Sequence, residues 1–214
     1  MASAMNSNAR FDAVVFDLLT ALLDSWSVWN RAAGSATDGL KWRRTYLELT
    51  YGCGVYRPYE DLVREAAREA GVATTAAEKL IEYWDTLEPW SEAPLILNDL
   101  ARRGVTLGVV TNCSTALGRR AAQRVGAPFA TVVTAEEIGF YKPRPEPYRK
   151  TLDRLGTLPE RTLFVAGSPA DIPGAVNVGM PVFWHNRAGL PFVADSARPV
   201  MIADTLQPLA ELVR

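Results

Sequence analysis

The chain has 214 residues, 48% of them apolar, with 23 Lys and Arg against 24 Asp and Glu, one His and two Cys. A net charge of −1 leaves no basic excess to neutralise a phosphate backbone, which argues against general nucleic-acid binding; no run nears the roughly 20 apolar residues of a membrane span. Two cysteines are no disulfide framework and, with a single His, build no zinc site, so the chemistry has to come from carboxylates, Lys, Arg and hydroxyls.

Residues 1–10 are polar, rich in Ser, Ala and Asn, and lack the apolar stretch of a secretory signal. They read as a disordered tail ahead of a cytoplasmic protein. Residues 11–19 (FDAVVFDLL) are a short Val- and Phe-rich run, too short for a typical helix and suited to a buried strand. From 24 to about 90 no strand pattern recurs. Helical patterns fall instead at 26–33, 40–50, 59–70 and 75–87, punctuated by Gly, Pro and Thr. Beyond them, helices at 94–103, 116–125, 146–155, 171–178 and 206–213 alternate with strands at 105–111, 131–134, 162–166, 181–184 and 200–203. Alternation of this kind means βαβ units, so the fold class is α/β: a Rossmann-like, doubly wound parallel sheet. The expected division is a discontinuous core, 1–20 and 92–214, interrupted by an all-helical cap, 21–91. Ligands bind beyond the carboxyl ends of the strands in such sheets, and an insert leaving from that edge is placed to cover them.

Polar residues at those strand ends are the candidates for chemistry. Asp17 closes the first strand and Thr111 and Asn112 the second; Lys142 follows in a loop, and Ser168 and Asp171 follow the strand at 162–166. A single Asp at such a point is commonly a helix cap; a carboxylate, a hydroxyl–amide pair, a Lys and a second carboxylate in that order are harder to dismiss. Cys113 and the isolated His185 read as structural; of Trp26, Trp29, Trp42, Tyr46, Tyr51 and Tyr56, which crowd the cap, some should line the pocket and most read as helical core.

The segments FDLLTALLDS (16–25), VVTNCS (109–114), YKPRPEPY (141–148) and FVAGSPADIPGA (164–175) resemble, in order and spacing, the motifs of the haloacid dehalogenase superfamily of hydrolases. The resemblance implies that Asp17 is the nucleophile, that Thr111 holds the nucleophile or a substrate oxygen, and that Lys142 offsets the charge. Most of the superfamily are magnesium-dependent phosphatases, with an acid two residues after the nucleophile and a metal-binding Asp in a motif resembling GDSPxD. Leu19 and Gly167 occupy those two positions here. Loss of one general acid typically lowers the rate by about 10² to 10⁴, and the octahedral oxygen shell of magnesium is left short of a ligand.

The L-2-haloacid dehalogenase branch needs neither group, because a halide leaves without a proton. Trp42 and Arg43 in LKWRRTYLELT are similar to a Trp–Arg pair that grips the substrate carboxylate or the halide, a task suited to the guanidinium fork. The resemblance implies catalytic roles for Asp17, Thr111, Lys142, Ser168 and Asp171 and substrate contacts from Leu19, Arg43, Asn112 and Tyr148. It further implies no metal, no cofactor, a small carboxylate as the substrate and a homodimer as the assembly. The chain also departs from that branch. Thr20 and Ala21 stand where the family has Gly-Thr, so the hydroxyl that would orient Asp17 is displaced by one residue or lost. Ala166 and Ala170 replace polar or bulky residues and imply a roomier, less polar pocket. Alternatives therefore stay open: ring opening of a cyclic 2-carboxylate such as azetidine-2-carboxylate, an atypical phosphatase, or a catalytically silent binding protein.

Overall fold

The computed structural model describes residues 11–192 and 197–213; the tail expected at 1–10 lies outside them. Six parallel strands, β1 (Ala13–Phe16), β2 (Thr106–Thr111), β3 (Thr131–Thr134), β4 (Thr162–Ala166), β5 (Val182–His185) and β6 (Met201–Ala203), form one sheet in the order β3-β2-β1-β4-β5-β6. The chain builds outward from β1 to β3, returns to the other side of β1 and builds outward again to β6. The direction of winding reverses between β1 and β4, and a crevice opens at their carboxyl ends.

The helices are α1 (Ser25–Ala33), α2 (Ala36–Gly52), α3 (Tyr59–Glu69), α4 (Ala76–Glu82), α5 (Ala93–Arg102), α6 (Thr115–Val125), α7 (Ala135–Ile138), α8 (Pro145–Leu155), α9 (Ile172–Asn177) and α10 (Leu209–Leu212). The central strands β1, β2, β4 and β5 are buried on both faces. Val14 and Phe16 of β1 and Leu163 and Val165 of β4 join one core with Leu97 and Leu100 of α5 and Leu117 of α6. Val15, Phe164 and Ala166 point the other way, into a second core with Tyr148 and Leu152 of α8 and Ile172 of α9. The alternation is that of a strand, and burial on both sides explains why its sequence is apolar without interruption.

Helices α1 to α4 occupy the interval between β1 and α5. The chain leaves and re-enters through a two-stranded neck: Asp24 N–H donates to Glu88 O (2.9 Å), Trp90 N–H donates to Leu22 O (3.0 Å), and Leu23 bridges Pro89. The helical insert lies over the carboxyl edge of the sheet. Tyr46 O–H donates to Asn112 O (2.8 Å) and Trp84 Nε1–H to Leu117 O (2.9 Å). Trp42, Leu62 and Leu80 of the insert belong to the same apolar cluster as Val14, Leu97 and Val109.

Several boundaries differ from those read in the sequence. The strand expected at 11–19 stops at Phe16, because Leu22 and Leu23 N–H both turn back to Leu18 O (3.2 and 3.1 Å); Leu18 and Leu19 are apolar for burial and not for a strand. Helix α2 begins at Ala36 instead of 40, with Ser35 Oγ accepting from Asp38 N–H (3.0 Å) as an N-cap. The helix expected at 75–87 is α4 followed by a 3-10 turn, Tyr83–Thr86. Helix α7 has no counterpart in the sequence reading.

Trp84 is almost fully buried where the insert meets α6. Trp84→Ala is expected to destabilise the protein by about 3–5 kcal/mol, read as a lowered midpoint in a single urea transition. Two separated transitions would contradict a core shared between insert and sheet.

Candidate active site

Asp17 follows β1 directly, its N–H still bonded to Val165 O of β4 (2.9 Å). The chain then turns back on its side chain. Thr20 N–H (3.0 Å), Thr20 O–H (2.6 Å) and Ala21 N–H (3.2 Å) all donate to Asp17 Oδ2, while Oδ1 accepts from Lys142 Nζ (2.7 Å). The hydroxyl that the family pattern places at the next position is therefore supplied by Thr20. Three donors surround Oδ2, whereas Oδ1 accepts from Lys142 alone among the described residues, and Asp17 borders a cavity.

Lys142 is 1% exposed, and its ammonium lies between Asp17 Oδ1 and Asp171 Oδ2 (3.1 Å). Its backbone is clamped at two points by Asn112, whose Oδ1 accepts from Lys142 N–H (2.7 Å) and whose Nδ2 donates to Lys142 O (3.0 Å). One amide N–H of Asn112 is left over for a ligand. Asp171 ends a 3-10 turn, Pro169–Asp171, capped by Ser168 Oγ, which accepts from Ala170 N–H (3.4 Å).

Two buried carboxylates thus share one buried ammonium, and their pKa values move apart. Burial pushes Asp17 up, but the charge of Lys142 and the hydrogen bonds from Lys142 and Thr20 outweigh it and leave Asp17 below the usual carboxylate range. For Asp171 burial dominates; Lys142 opposes it, the charge of Asp17 adds to it, and the carboxyl rises to about 6. Burial pulls Lys142 down, and the two carboxylates more than restore it. Asp17 is the settled anion of the pair, and Asp171 is the group that titrates near neutrality.

Across the cavity stands Arg43 of α2, 8% exposed, with its guanidinium over the rings of Trp26 (4.0 Å) and Trp29 (5.6 Å). Nη1 donates to Ser25 Oγ (3.0 Å), and no carboxylate among the described residues forms an ion pair with it. Its neighbours Lys41 and Arg44 are exposed, so Arg43 is not part of a solvated helix face. Trp42, one residue and about 100° further round the helix, is buried within the insert and donates Nε1–H to Val63 O (2.9 Å).

The cavity between these groups holds about 50 Å³, room for a few heavy atoms on a measure where one water needs roughly 10–15 Å³. Asp17, Asn112, Lys142, Ser168 and Asp171 line it from the sheet side, Arg43 and Tyr51 from the insert, and Leu19 also borders it. Two expected site residues do not. Tyr148 lies behind Asp171, donating its O–H to Asp171 O (3.1 Å) and packing on Phe164 (5.3 Å), because α8 covers the opposite face of the sheet. Thr111 is buried with its Oγ1 3.7 Å from Cys113 Sγ. Burial pushes the Cys113 thiol up to about 12, which removes it as a thiolate nucleophile, and both cysteines are free. Trp26, Tyr46 and Tyr51 are the cap aromatics that border the cavity, in keeping with the expectation that some of that set line the pocket.

Among the described residues no group of three or more His, Cys, Asp and Glu is placed to hold a metal ion. The position that carries a metal ligand in the phosphatases is closed as well as empty of a carboxylate. A Cβ on Gly167 would fall on Ala21 N, Thr20 Oγ1 and Thr20 C, far inside contact distance. The turn that holds Asp17 Oδ2 occupies the space a side chain at 167 would need, and the residues present do not fit the octahedral oxygen shell of magnesium.

Residues 11–179 match the family of haloacid dehalogenase-like hydrolases, and the chain belongs to that family. It is 29% identical to an (S)-2-haloacid dehalogenase of Pseudomonas sp. (strain YL) over 93% of either chain. It is also 29% identical to a phosphoserine phosphatase of Thermus thermophilus, over 82% of this chain and 74% of the relative. The solved structure of an L-2-haloacid dehalogenase superposes with a TM-score of 0.85 at 25% identity, covering 95% of this chain and 98% of the other. No helix among the described residues is long and apolar enough to cross a membrane.

Gly167→Asp is expected to gain no Mg2+ affinity in calorimetric titration and to unfold more easily by about 1–3 kcal/mol, the usual scale of overpacking. A stable, magnesium-binding variant would contradict the closed slot.

Proposed function

We propose that the protein is a metal-independent 2-haloacid dehalogenase that displaces the C2 halide of a short carboxylic acid through an ester on Asp17. The observation that carries this reading is the opposition of Arg43 and Asp17: a buried guanidinium with unfilled donors faces an ionised carboxylate across a cavity sized for a two- or three-carbon acid. Arg43 and the spare N–H of Asn112 bind the anionic atoms, the substrate carboxylate and the departing halide. Asp17 Oδ1, the less encumbered oxygen, attacks C2 from the side opposite the halogen. The oxygen–carbon bond forms, the carbon–halogen bond breaks, the halide keeps the electron pair, and C2 inverts.

Asp171 then takes a proton from a water whose oxygen attacks Asp17 Cγ. The carbonyl oxygen of the ester is Oδ2, and it becomes the oxyanion within the donors of Thr20 and Ala21. Collapse expels the 2-hydroxy acid as an alkoxide, which is reprotonated from Asp171; Asp17 is ionised again and one proton leaves to solvent. No step calls for an acid at position 19 or a cation at 167. The insert excludes water during displacement and admits it for hydrolysis.

Asp171 acts as a base only when ionised. In the free enzyme its pKa is about 6; forming the ester removes the Asp17 charge that helps to raise it, so in the ester Asp171 is ionised at pH 7 and keeps its charge to a lower pH than in the free enzyme. The hydrolysis rate is therefore expected to hold near neutrality and to fall about tenfold per pH unit once Asp171 is protonated in the ester, at a lower pH than the free-enzyme value, measured as single-turnover 2-hydroxy acid release; a rate that rises as the medium is acidified would contradict this role.

Release of chloride or fluoride from a panel of 2-haloacids tests the reading as a whole. Wild type is expected to release halide equally with and without EDTA, and Asp17→Asn to lose at least about 10³-fold, as when a nucleophile is removed. Magnesium-dependent phosphate release from an aryl phosphate would instead favour the phosphatase, activity only on azetidine-2-carboxylate the ring-opening variant, and no turnover of any of them the silent binding protein.

A further inference from the structure

The donors around Asp17 Oδ2 are themselves held from behind. The Ala21 N–H that binds Oδ2 shares its planar peptide group with the Thr20 carbonyl, and that carbonyl accepts from Trp90 Nε1–H (3.1 Å). The next peptide group is held too: the Ala21 carbonyl accepts from His185 Nδ1 (2.8 Å), and its partner N–H, on Leu22, donates to Leu18 O. A carbonyl only accepts, so Nδ1 of His185 carries the hydrogen. Trp90 touches the turn a second time through its own backbone N–H on Leu22 O, at the point where the helical insert re-enters the sheet domain. Its ring stands edge-on to His185 (6.3 Å) and beneath Arg187 (5.0 Å). His185 is fully buried at the end of β5.

We propose that Trp90 and His185 are positioning residues for Asp17: they fix the Thr20–Ala21 turn, so that the neck of the insert sets the geometry of the donors on Oδ2. In series, indole N–H, carbonyl, peptide N–H and carboxylate form a chain in which each hydrogen bond polarises the next. The only histidine of the chain thus acts through the backbone and not as an acid or base. The kinetic consequence rests on the aspartyl-ester reading: the turn serves as the oxyanion site during ester hydrolysis, so loosening it slows hydrolysis more than ester formation.

The test uses Trp90→Phe, which keeps a ring and removes the indole N–H, His185→Leu, which removes the imidazole donor, and His185→Asn, which restores an N–H near the Nδ1 position. Without substrate, amide hydrogen exchange at Thr20 and Ala21 is expected to rise at least tenfold in Trp90→Phe and His185→Leu, and to stay near wild type in His185→Asn. With 2-chloropropionate, intact-protein mass spectrometry is expected to find several-fold more steady-state Asp17 ester in the first two variants than in wild type. Should His185→Leu fail to fold, Trp90→Phe carries both measurements. Unchanged exchange at both amides and an unchanged ester fraction in folded variants would overturn the proposal. Faster exchange with no ester even in wild type would uphold the positioning role and overturn the aspartyl-ester reading instead.

Discussion

The ammonium of Lys142, held between Asp17 and Asp171 and closed off from solvent, is the interaction on which the rest of the site depends. A lone carboxylate buried at that depth would neutralise itself by taking up a proton. One ammonium holds one carboxylate ionised and leaves the second within reach of a proton at ordinary pH. The two acids have the same side chain and differ only in surroundings: Asp17 accepts from the turn donors as well as from Lys142, whereas the side chain of Asp171, among the described residues, accepts from Lys142 alone. That difference is what a reaction with one nucleophile and one base requires. It also explains the care spent on the Lys142 backbone, clamped through both hydrogen-bonding functions of the Asn112 side chain.

The same close packing that organises Asp17 closes position 167 to a side chain. Thr20 and Ala21 come over Gly167 so tightly that position 167 admits no side chain. Glycine there is the counterpart of a turn that brings three donors to one carboxylate oxygen. Protein hydrogen bonds thus fill the space beside Asp17 that a carboxylate at 167 would need, which is the feature the proposed displacement of a halide draws on.

Much of this was legible in the sequence because the core strands are buried on both faces. Their apolar runs, spaced by amphipathic helices, declare a parallel sheet, and the strand at 131–134 matches β3 to the residue. Asp17 and Asp171, expected after strand ends, and Lys142, expected in a loop, do meet. Less legible was everything fixed by side chains meeting across the insert. The apolar Leu18 and Leu19 extend the pattern of β1 without extending the strand, since the signal for the turn is the side chain of Asp17 itself. Tyr148 lies in a motif beside the site, yet its helix covers the far face. The Thr20 hydroxyl, three residues from Asp17, reaches it only through a turn that the apolar pattern hides, and the hold of Trp90 and His185 on that turn joins residues far apart in the chain.

The central claim is that Asp17 gives up its own oxygen to the product. With enzyme in excess over a 2-haloacid in H₂¹⁸O, a single turnover should yield unlabelled 2-hydroxy acid and leave ¹⁸O in the carboxyl of Asp17, detected by mass spectrometry of the peptide that contains it. A first product carrying ¹⁸O, with Asp17 unlabelled, would show that water attacks the substrate directly and would contradict the account.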